Sequence, residues 1–357
     1  MRKINFGSGP AALPEVVLKE ASEAVVGYSN SGLSILELPH RGNYFDAILE
    51  ESISLVNELC GLDNNYEILW LQGGRLQFSM IPLNFLPNNK KAGYIDSGHW
   101  AAEAASYAAF HGDMEIIASS KPSNYNQLPT LHHPINPELA YLYLTTNNTI
   151  YGTQWKQLPQ VSMPLIADMS SDILGVERTY HQCALFYAVA QKNIGPAGVT
   201  LVAIHKDFIK KSLPNNSPIL DYKMHTKNRS VLNTPPVFAI YTSLLTLRWI
   251  KKIGLSNLLQ QNEKKATTLY NEIDRNPLFE GTVVNKSDRS KMNICFTMKQ
   301  PELETQFLQL CTSQNIEGIA GHRSVGGFRA SLYNAVSLND VEKLVSLMQE
   351  FEQSKIQ

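Results

Sequence analysis

Four short, unbroken apolar runs constrain this chain more than any other feature: "AYLYLTT" at 140–146, "MPLIADM" at 163–169, "ALFYAVA" at 184–190 and "VTLVAIH" at 199–205. A strand with one wet face alternates apolar and polar residues; these do not, so both faces must be buried. Covering both faces of a sheet takes helices on each side, which points to an α/β domain with a largely parallel sheet. Helical segments are available between such runs. "EAVVGYSN" is one, and "FDAILEESISLVNELCG" places Phe45, Ile48, Leu49, Ile53, Val56 and Leu59 near one stripe.

The last hundred residues carry a different pattern. "SNLLQQNEKKATTLYNEID" predicts a helix with Ser256 as N-cap. "MNICFTM" alternates Met292, Ile294, Phe296 and Met298 with polar or small residues, as a half-buried strand does. "SLNDVEKLVSLMQEF" sets Val341, Leu344, Val345 and Met348 on one side of a closing helix. A second, smaller α+β domain is therefore expected from about residue 257.

Bulk composition removes several function classes. A net charge of −1 leaves no basic footprint for nucleic acid and no single-sign field. No apolar stretch approaches the ~18 residues of a membrane span, and "MRKINFGSGPAALP" lacks the apolar core of a secretory signal. Cys60, Cys183, Cys295 and Cys311 stand singly, without the paired spacing of a zinc or redox site. A soluble cytoplasmic protein with no metal centre is expected.

Candidate chemistry centres on Lys192, directly after "ALFYAVAQ" and before "NIGPAG". Desolvation at a buried strand end lowers a lysine pKa and exposes a nucleophilic amine, although a lone lysine there can equally snorkel to the sheet edge. Asp168 ends the run "PLIAD", so both residues fall at C-terminal strand ends, where open α/β sheets bind ligands. An aspartate there can hold a pyridinium nitrogen protonated, or simply cap the following "SSDIL". "LQGGRLQF" at 71–78 follows "YEILW", and strand, glycines, then helix form a cup for phosphate or a plain tight turn. Trp100 in "DSGHWA" suits stacking on a flat ring as well as a core position. Arg75, "PHRGNYF" (His40, Arg41) and "GHRSVGGFRAS" (His322, Arg323, Arg329) place arginines on glycine-containing loops, which suits capture of carboxylate or phosphate where they are not surface charge.

Together these segments resemble the phosphoserine aminotransferase family, class-V aminotransferases of the fold-type I group that depend on pyridoxal 5′-phosphate (PLP). The likeness runs in order through "NFGSGPAALP", "HRG", "QGG-LQFSMIPLN", "DSGHWA", "NNTIYG", "ADMSSDIL", "AQKNIGPAG", "LNTPPVFAIY" and "GHRSVGGFRASLYNA". It implies a large PLP-binding α/β domain over 16–257 with a mostly parallel seven-stranded sheet, and a small α+β domain from 1–15 and 258–357. It also implies one PLP per subunit as a Schiff base to Lys192, Asp168 at the pyridine nitrogen, Trp100 on the ring and Thr149 at the phenolic oxygen. Gly74, Arg75 and Gln191 would bind the phosphate, joined by Asn233 and Thr234 from the partner in a homodimer with shared sites. Arg329 would clamp the substrate α-carboxylate, His40 and Arg41 the distal anion, and His322 and Arg323, from the partner, the substrate phosphate. Arg75 could face either cofactor or substrate. The implied reaction is a ping-pong transamination in which L-glutamate and 3-phosphohydroxypyruvate become 2-oxoglutarate and O-phospho-L-serine in serine biosynthesis. The resemblance leaves open whether the chain also acts on 4-phosphohydroxythreonine of pyridoxine biosynthesis.

Three positions depart from the family pattern. Only Arg75 stands between "GG" and "LQF" where two residues are usual, Gly7 replaces a common serine, and Val189 replaces a glycine common before "AQK". Three rivals remain at this stage. One is an alanine–glyoxylate type aminotransferase. Another is a cysteine desulfurase, which would need a mobile cysteine on a loop. The third is a PLP-binding protein with impaired turnover.

Overall fold

The computed structural model describes residues 2–132, 134–214 and 217–356. Its strands are β1 (Ile4–Asn5), β2 (Tyr66–Leu71), β3 (Ala92–Asp96), β4 (Met114–Ser119), β5 (Leu142–Thr145), β6 (Leu165–Asp168), β7 (Leu185–Val189), β8 (Thr200–His205), β9 (Phe279–Gly281), β10 (Asn293–Met298), β11 (Ile316–Glu317) and β12 (Phe328–Ser331). Seven of them form one sheet in the order β2-β8-β7-β6-β5-β3-β4. Neighbours from β4 to β7 pair in parallel, whereas β8 pairs antiparallel with both β7 and β2. One reversed strand thus interrupts an otherwise parallel sheet, as the sequence predicts for a largely parallel one.

The four apolar runs become β5 to β8, and their lack of alternation has a direct cause. Leu142, Leu144, Ala167, Phe186, Ala188 and Leu201 face one core, packed with helices Asn43–Cys60 and Val237–Ile253. The intervening Tyr143, Ile166, Leu185, Tyr187 and Val202 face a second core beneath helices Gln77–Phe85 and His99–Ala108. Each side chain leaves water on either face, at roughly 1.5–3 kcal/mol for a fully buried large apolar side chain.

A third core gathers Phe6 from the N-terminus with Leu269, Ile273, Phe296, Phe328 and Leu344. It is built on the antiparallel sheet β12-β10-β9 and the parallel pair β1-β11. Helix Leu255–Arg275 links the cores, with Leu258 in the large one and Ala266, Leu269 and Ile273 in the small one.

Four local expectations need correction. Ser256 lies inside its helix; Gly254, at φ +85°, ends the preceding helix and caps this one, a conformation L side chains rarely adopt. The first helix covers Glu15–Val26 and stops at Gly27, so "GYSN" is not helical. Strand β10 is buried on both faces except at Thr297, because its polar Asn293 is held by Ser331 and Asn147 inside the protein. On helix Asn43–Cys60, Leu55 belongs to the core while Ile53 is only partly buried.

Gly318 locks the N-terminal strand into this arrangement. Its φ is +77°, and a β-carbon there would stand 2.4 Å from the Gly7 backbone nitrogen. Backbone cannot yield as a side-chain tip can, so Gly318→Ala should cost about 1–3 kcal/mol of unfolding free energy. Urea denaturation with an unchanged midpoint would contradict this packing.

Candidate active site

The C-terminal ends of β6 and β7 open into a cavity of about 270 Å³ whose lining includes Gly74, Trp100, Asp168, Tyr187, Gln191 and Lys192. Strand β7 ends at Val189 and passes at once into the single-turn helix Ala190–Asn193, which carries Lys192. Gly195 then allows close packing: a β-carbon there would lie 2.1 Å from Ser243 Oγ.

Lys192 Nζ donates to Thr149 Oγ1 at 2.8 Å. Burial draws its pKa down to about 8; Arg329 pushes the same way, while Asp168 and Asp172 oppose. The backbone carbonyl of the same Thr149 accepts from Arg329 Nη1 at 3.3 Å. Arg329 Nη2 donates to Ser8 Oγ at 2.6 Å, and its Nε has no partner. Arg329 is only 9% exposed, yet among the described residues no carboxylate pairs with it. A buried guanidinium surrounded by neutral acceptors is set up to receive an anion.

Asp168 is buried and accepts two hydrogen bonds, from the Ser170 N–H at 2.9 Å and the Tyr187 hydroxyl at 3.0 Å. Each carboxylate oxygen therefore has a donor. Tyr187 Oη lies 2.8 Å from Tyr143 Oη. Since the single Tyr187 proton is given to Asp168, Tyr143 must be the donor to Tyr187, and the pair forms a directed chain ending at the carboxylate. Burial holds both phenols well above the usual tyrosine pKa, so the chain stays protonated. Parallel pairing sets Asp168 opposite Tyr187 across β6 and β7. Sequence reasoning assigned both tyrosines to the core and missed this link. The available signal was the phenol itself, since a tyrosine inside an apolar strand needs a partner for its hydroxyl.

The glycine turn lies on another side of the cavity. Gly73 has φ +74°, and the Gln77 N–H bonds to Gly74 O as helix Gln77–Phe85 begins. A β-carbon on Gly74 would stand 2.0 Å from Val189 Cγ1, so two of the unusual sequence features touch each other. Arg75 points across the mouth: its guanidinium carbon sits 5.3 Å from the Trp100 ring centre, and its Nε is 3.1 Å from Glu103. Trp100 is half-buried on helix His99–Ala108.

Other candidates lie apart. His322 is partly buried, and its ring is 6.4 Å from that of His99 at the same mouth; burial, Arg329 and neighbouring basic groups lower its pKa. Arg323 is exposed. His40 and Arg41 occupy bends before helix Asn43–Cys60 and do not line this cavity. Exposed Asn233 donates to Gln72 Oε1 at 2.7 Å, and Thr234 O accepts from Gln72 at 3.3 Å, also outside it. All four cysteines are buried, and burial raises each thiol pKa, that of Cys295 to about 12. None is the mobile thiolate of a desulfurase.

The residues present fit PLP. They supply an amine of lowered pKa, a buried carboxylate with a donor on each oxygen at a neighbouring strand end, an aromatic face, a hydroxyl and a glycine turn opening a helix. Fold and site together define a class-V aminotransferase, and the family model "Aminotransferase class-V" matches residues 4–344. Curated phosphoserine aminotransferases are similar over nearly full length: that of Flavobacterium psychrophilum is 45% identical over 99% of both chains, and that of Bacillus subtilis 43% over 99% of both. Among solved structures, the phosphoserine aminotransferase from Bacillus circulans subsp. alkalophilus superposes with a TM-score of 0.96 at 42% identity over 99% of both chains. The PLP-bound enzyme from Trichomonas vaginalis gives 0.92 at 34% identity, covering 98% of this chain and all of that one. The chain belongs to the phosphoserine aminotransferase family.

Two expectations follow from the geometry. With Lys192 titrating near 8, the free amine predominates only above that pH. The rate at which apoprotein condenses with added PLP should therefore rise with pH and level off above 8; a flat absorbance-monitored profile would contradict the burial. Tyr187→Phe removes one donor to Asp168 and should lower turnover roughly tenfold, since a hydrogen bond to a charged group is worth about 1.5–3 kcal/mol. Its holoenzyme spectrum should shift at fixed pH, and an unaltered spectrum would detach the tyrosine chain from the site.

Proposed function

We propose that this chain exchanges an amino group between L-glutamate and 3-phosphohydroxypyruvate, giving 2-oxoglutarate and O-phospho-L-serine for serine biosynthesis. The observation that carries this reading is the buried, uncompensated guanidinium of Arg329, joined through Thr149 to the Lys192 amine. An α-amino acid held by its carboxylate on that guanidinium presents its Cα hydrogen towards the amine.

Bound PLP supplies the electron sink that makes the substrate Cα–H acidic. Lys192 Nζ would take the proton from Cα as general base and give it to the cofactor's C4′ as general acid, a task suited to an amine poised near neutrality. Asp168, oriented by the Ser170 N–H and the Tyr187 hydroxyl, would hold a proton on the cofactor's ring nitrogen. Arg329 grips the α-carboxylate of both substrates with a planar fork. Gly74, Arg75 and Gln191 would hold the cofactor phosphate, Trp100 would cover the ring and Thr149 would meet its phenolic oxygen.

The distal group is a carboxylate on glutamate and a phosphate on the acceptor. Arginine and histidine serve both, because each presents anionic oxygens. His322 and Arg323 of the partner subunit take the substrate phosphate, and His40 and Arg41 the distal anion. As these two, like Asn233 and Thr234, lie outside the cavity of their own chain, a homodimer that exchanges them is the arrangement that uses them. Val26, Leu33, Leu36 and Tyr44 support it: they are exposed apolar residues on the segment that carries His40 and Arg41. A reducing cytoplasmic setting accords with four unpaired cysteines.

A coupled assay comparing 3-phosphohydroxypyruvate with unphosphorylated hydroxypyruvate tests the substrate. Strong preference for the phosphorylated acceptor is expected, and equal use of the two would sink the reading. Arg329→Lys should weaken all amino-acid substrates alike, by roughly 10- to 100-fold in kcat/KM, as charged hydrogen bonds are lost. A loss confined to phosphoserine would move the α-carboxylate role elsewhere.

A further inference from the structure

Lys265 is a buried cation that the reaction above does not use. It sits in helix Leu255–Arg275 with only 1% exposure and, among the described residues, no ion pair. Its Nζ donates to three backbone carbonyls, those of Leu332 at 3.1 Å, Tyr333 at 2.9 Å and Val336 at 2.9 Å. Three acceptors around one nitrogen match the three N–H bonds of an ammonium, whereas a neutral amine has only two. Burial pulls its pKa down, against a pull from Asp340. The three carbonyls oppose that fall, because only the ammonium form has a donor for each of them.

The strap these carbonyls belong to reaches both halves of the site. It begins just after β12, the strand of Arg329. Tyr333 Oη donates to Ser8 O at 3.2 Å, and the hydroxyl of the same Ser8 receives Arg329 Nη2. The Asn334 N–H donates to Asn193 Oδ1 at 2.8 Å, and Asn193 is the residue after Lys192. Asn262, one turn before Lys265 on the same helix, donates to Asn334 Oδ1 at 2.8 Å and to Gly175 O at 2.9 Å. One helix thus fixes a strap that supports the substrate fork at one end and the proton-transferring amine at the other.

We propose that Lys265 is a positioning residue for transamination, its ammonium holding the 332–336 strap so that Arg329 and Lys192 keep the separation that Cα proton transfer requires. Without it, three carbonyls lose their donor inside the protein, and the strap must move to find others. The inference rests on the proposed function, because it concerns the proton that Lys192 moves.

The test compares wild-type holoenzyme with Lys265→Met, which keeps the apolar stem and removes all three donors. A misplacement of about 1 Å between reacting groups costs on the order of 100-fold, so a 10- to 100-fold fall in kcat is expected, with KM for glutamate changed far less. The deuterium isotope effect on α-deuterated glutamate should rise, because proton transfer becomes the slow step. Should the methionine variant fold poorly, Lys265→Ala leaves a hole for an added cation: propylammonium should restore kcat with concentration, and propanol should not. A variant that loses thermal stability but keeps wild-type kcat and isotope effect would reduce Lys265 to a structural role and overturn the proposal. Absent rescue by propylammonium would do the same. Wild-type protein that turns over no glutamate would instead overturn the function itself, which separates the two failures.

Discussion

Thr149 presents two oxygens to two cations, and the site depends on that division. Its hydroxyl holds the Lys192 amine and its carbonyl the Arg329 guanidinium, so a single residue fixes the distance between the two. Burial is what chiefly draws the Lys192 pKa down, and the Arg329 charge pushes the same way. The nucleophilic amine is in this sense a product of the fold's inability to solvate a second cation there.

Strands β5 to β8 bury both faces, and β6 and β7 meet the cavity near their C-terminal ends, where Phe78 and Tyr187 belong to core and lining at once. Polar groups at those ends are fixed by the sheet register, as with Asp168 opposite Tyr187. Glu103 and Arg75 at the mouth are more exposed, and their ion pair can exchange partners at little expense.

Much of this was legible in the sequence, for identifiable reasons. Unalternating runs marked β5 to β8 because burial on two faces removes the alternation, although β8 among them runs antiparallel. Lys192 and Asp168 were legible because a charge at the end of such a run needs an explanation. What escaped was carried by partners distant in sequence. Tyr187 looks apolar until Asp168 is placed beside it; Lys265 looks like one more helix-surface lysine in "NEKKATT" until three carbonyls 67 to 71 residues away close round it. Ser256 was misplaced because a left-handed glycine did what a serine side chain usually does. The spacing of "GGRLQF" suggested a shortened cup, while the contact between Gly74 and Val189 could emerge only once two strands were folded together.

Strand β1 pairs Ile4 with Ile316, joining the first residues of the chain to nearly the last. Ser8, just beyond that strand, holds the Arg329 fork and accepts the strap from Tyr333. During synthesis the seven-stranded sheet can assemble from residues already made, but these N-terminal residues must wait for some three hundred more to emerge before their partners exist. Closing so long a loop adds little thermodynamic penalty and a considerable delay. Within one chain, the Ser8 contact of Arg329 therefore forms late, and a chain still being made can bury Lys192 well before that contact exists.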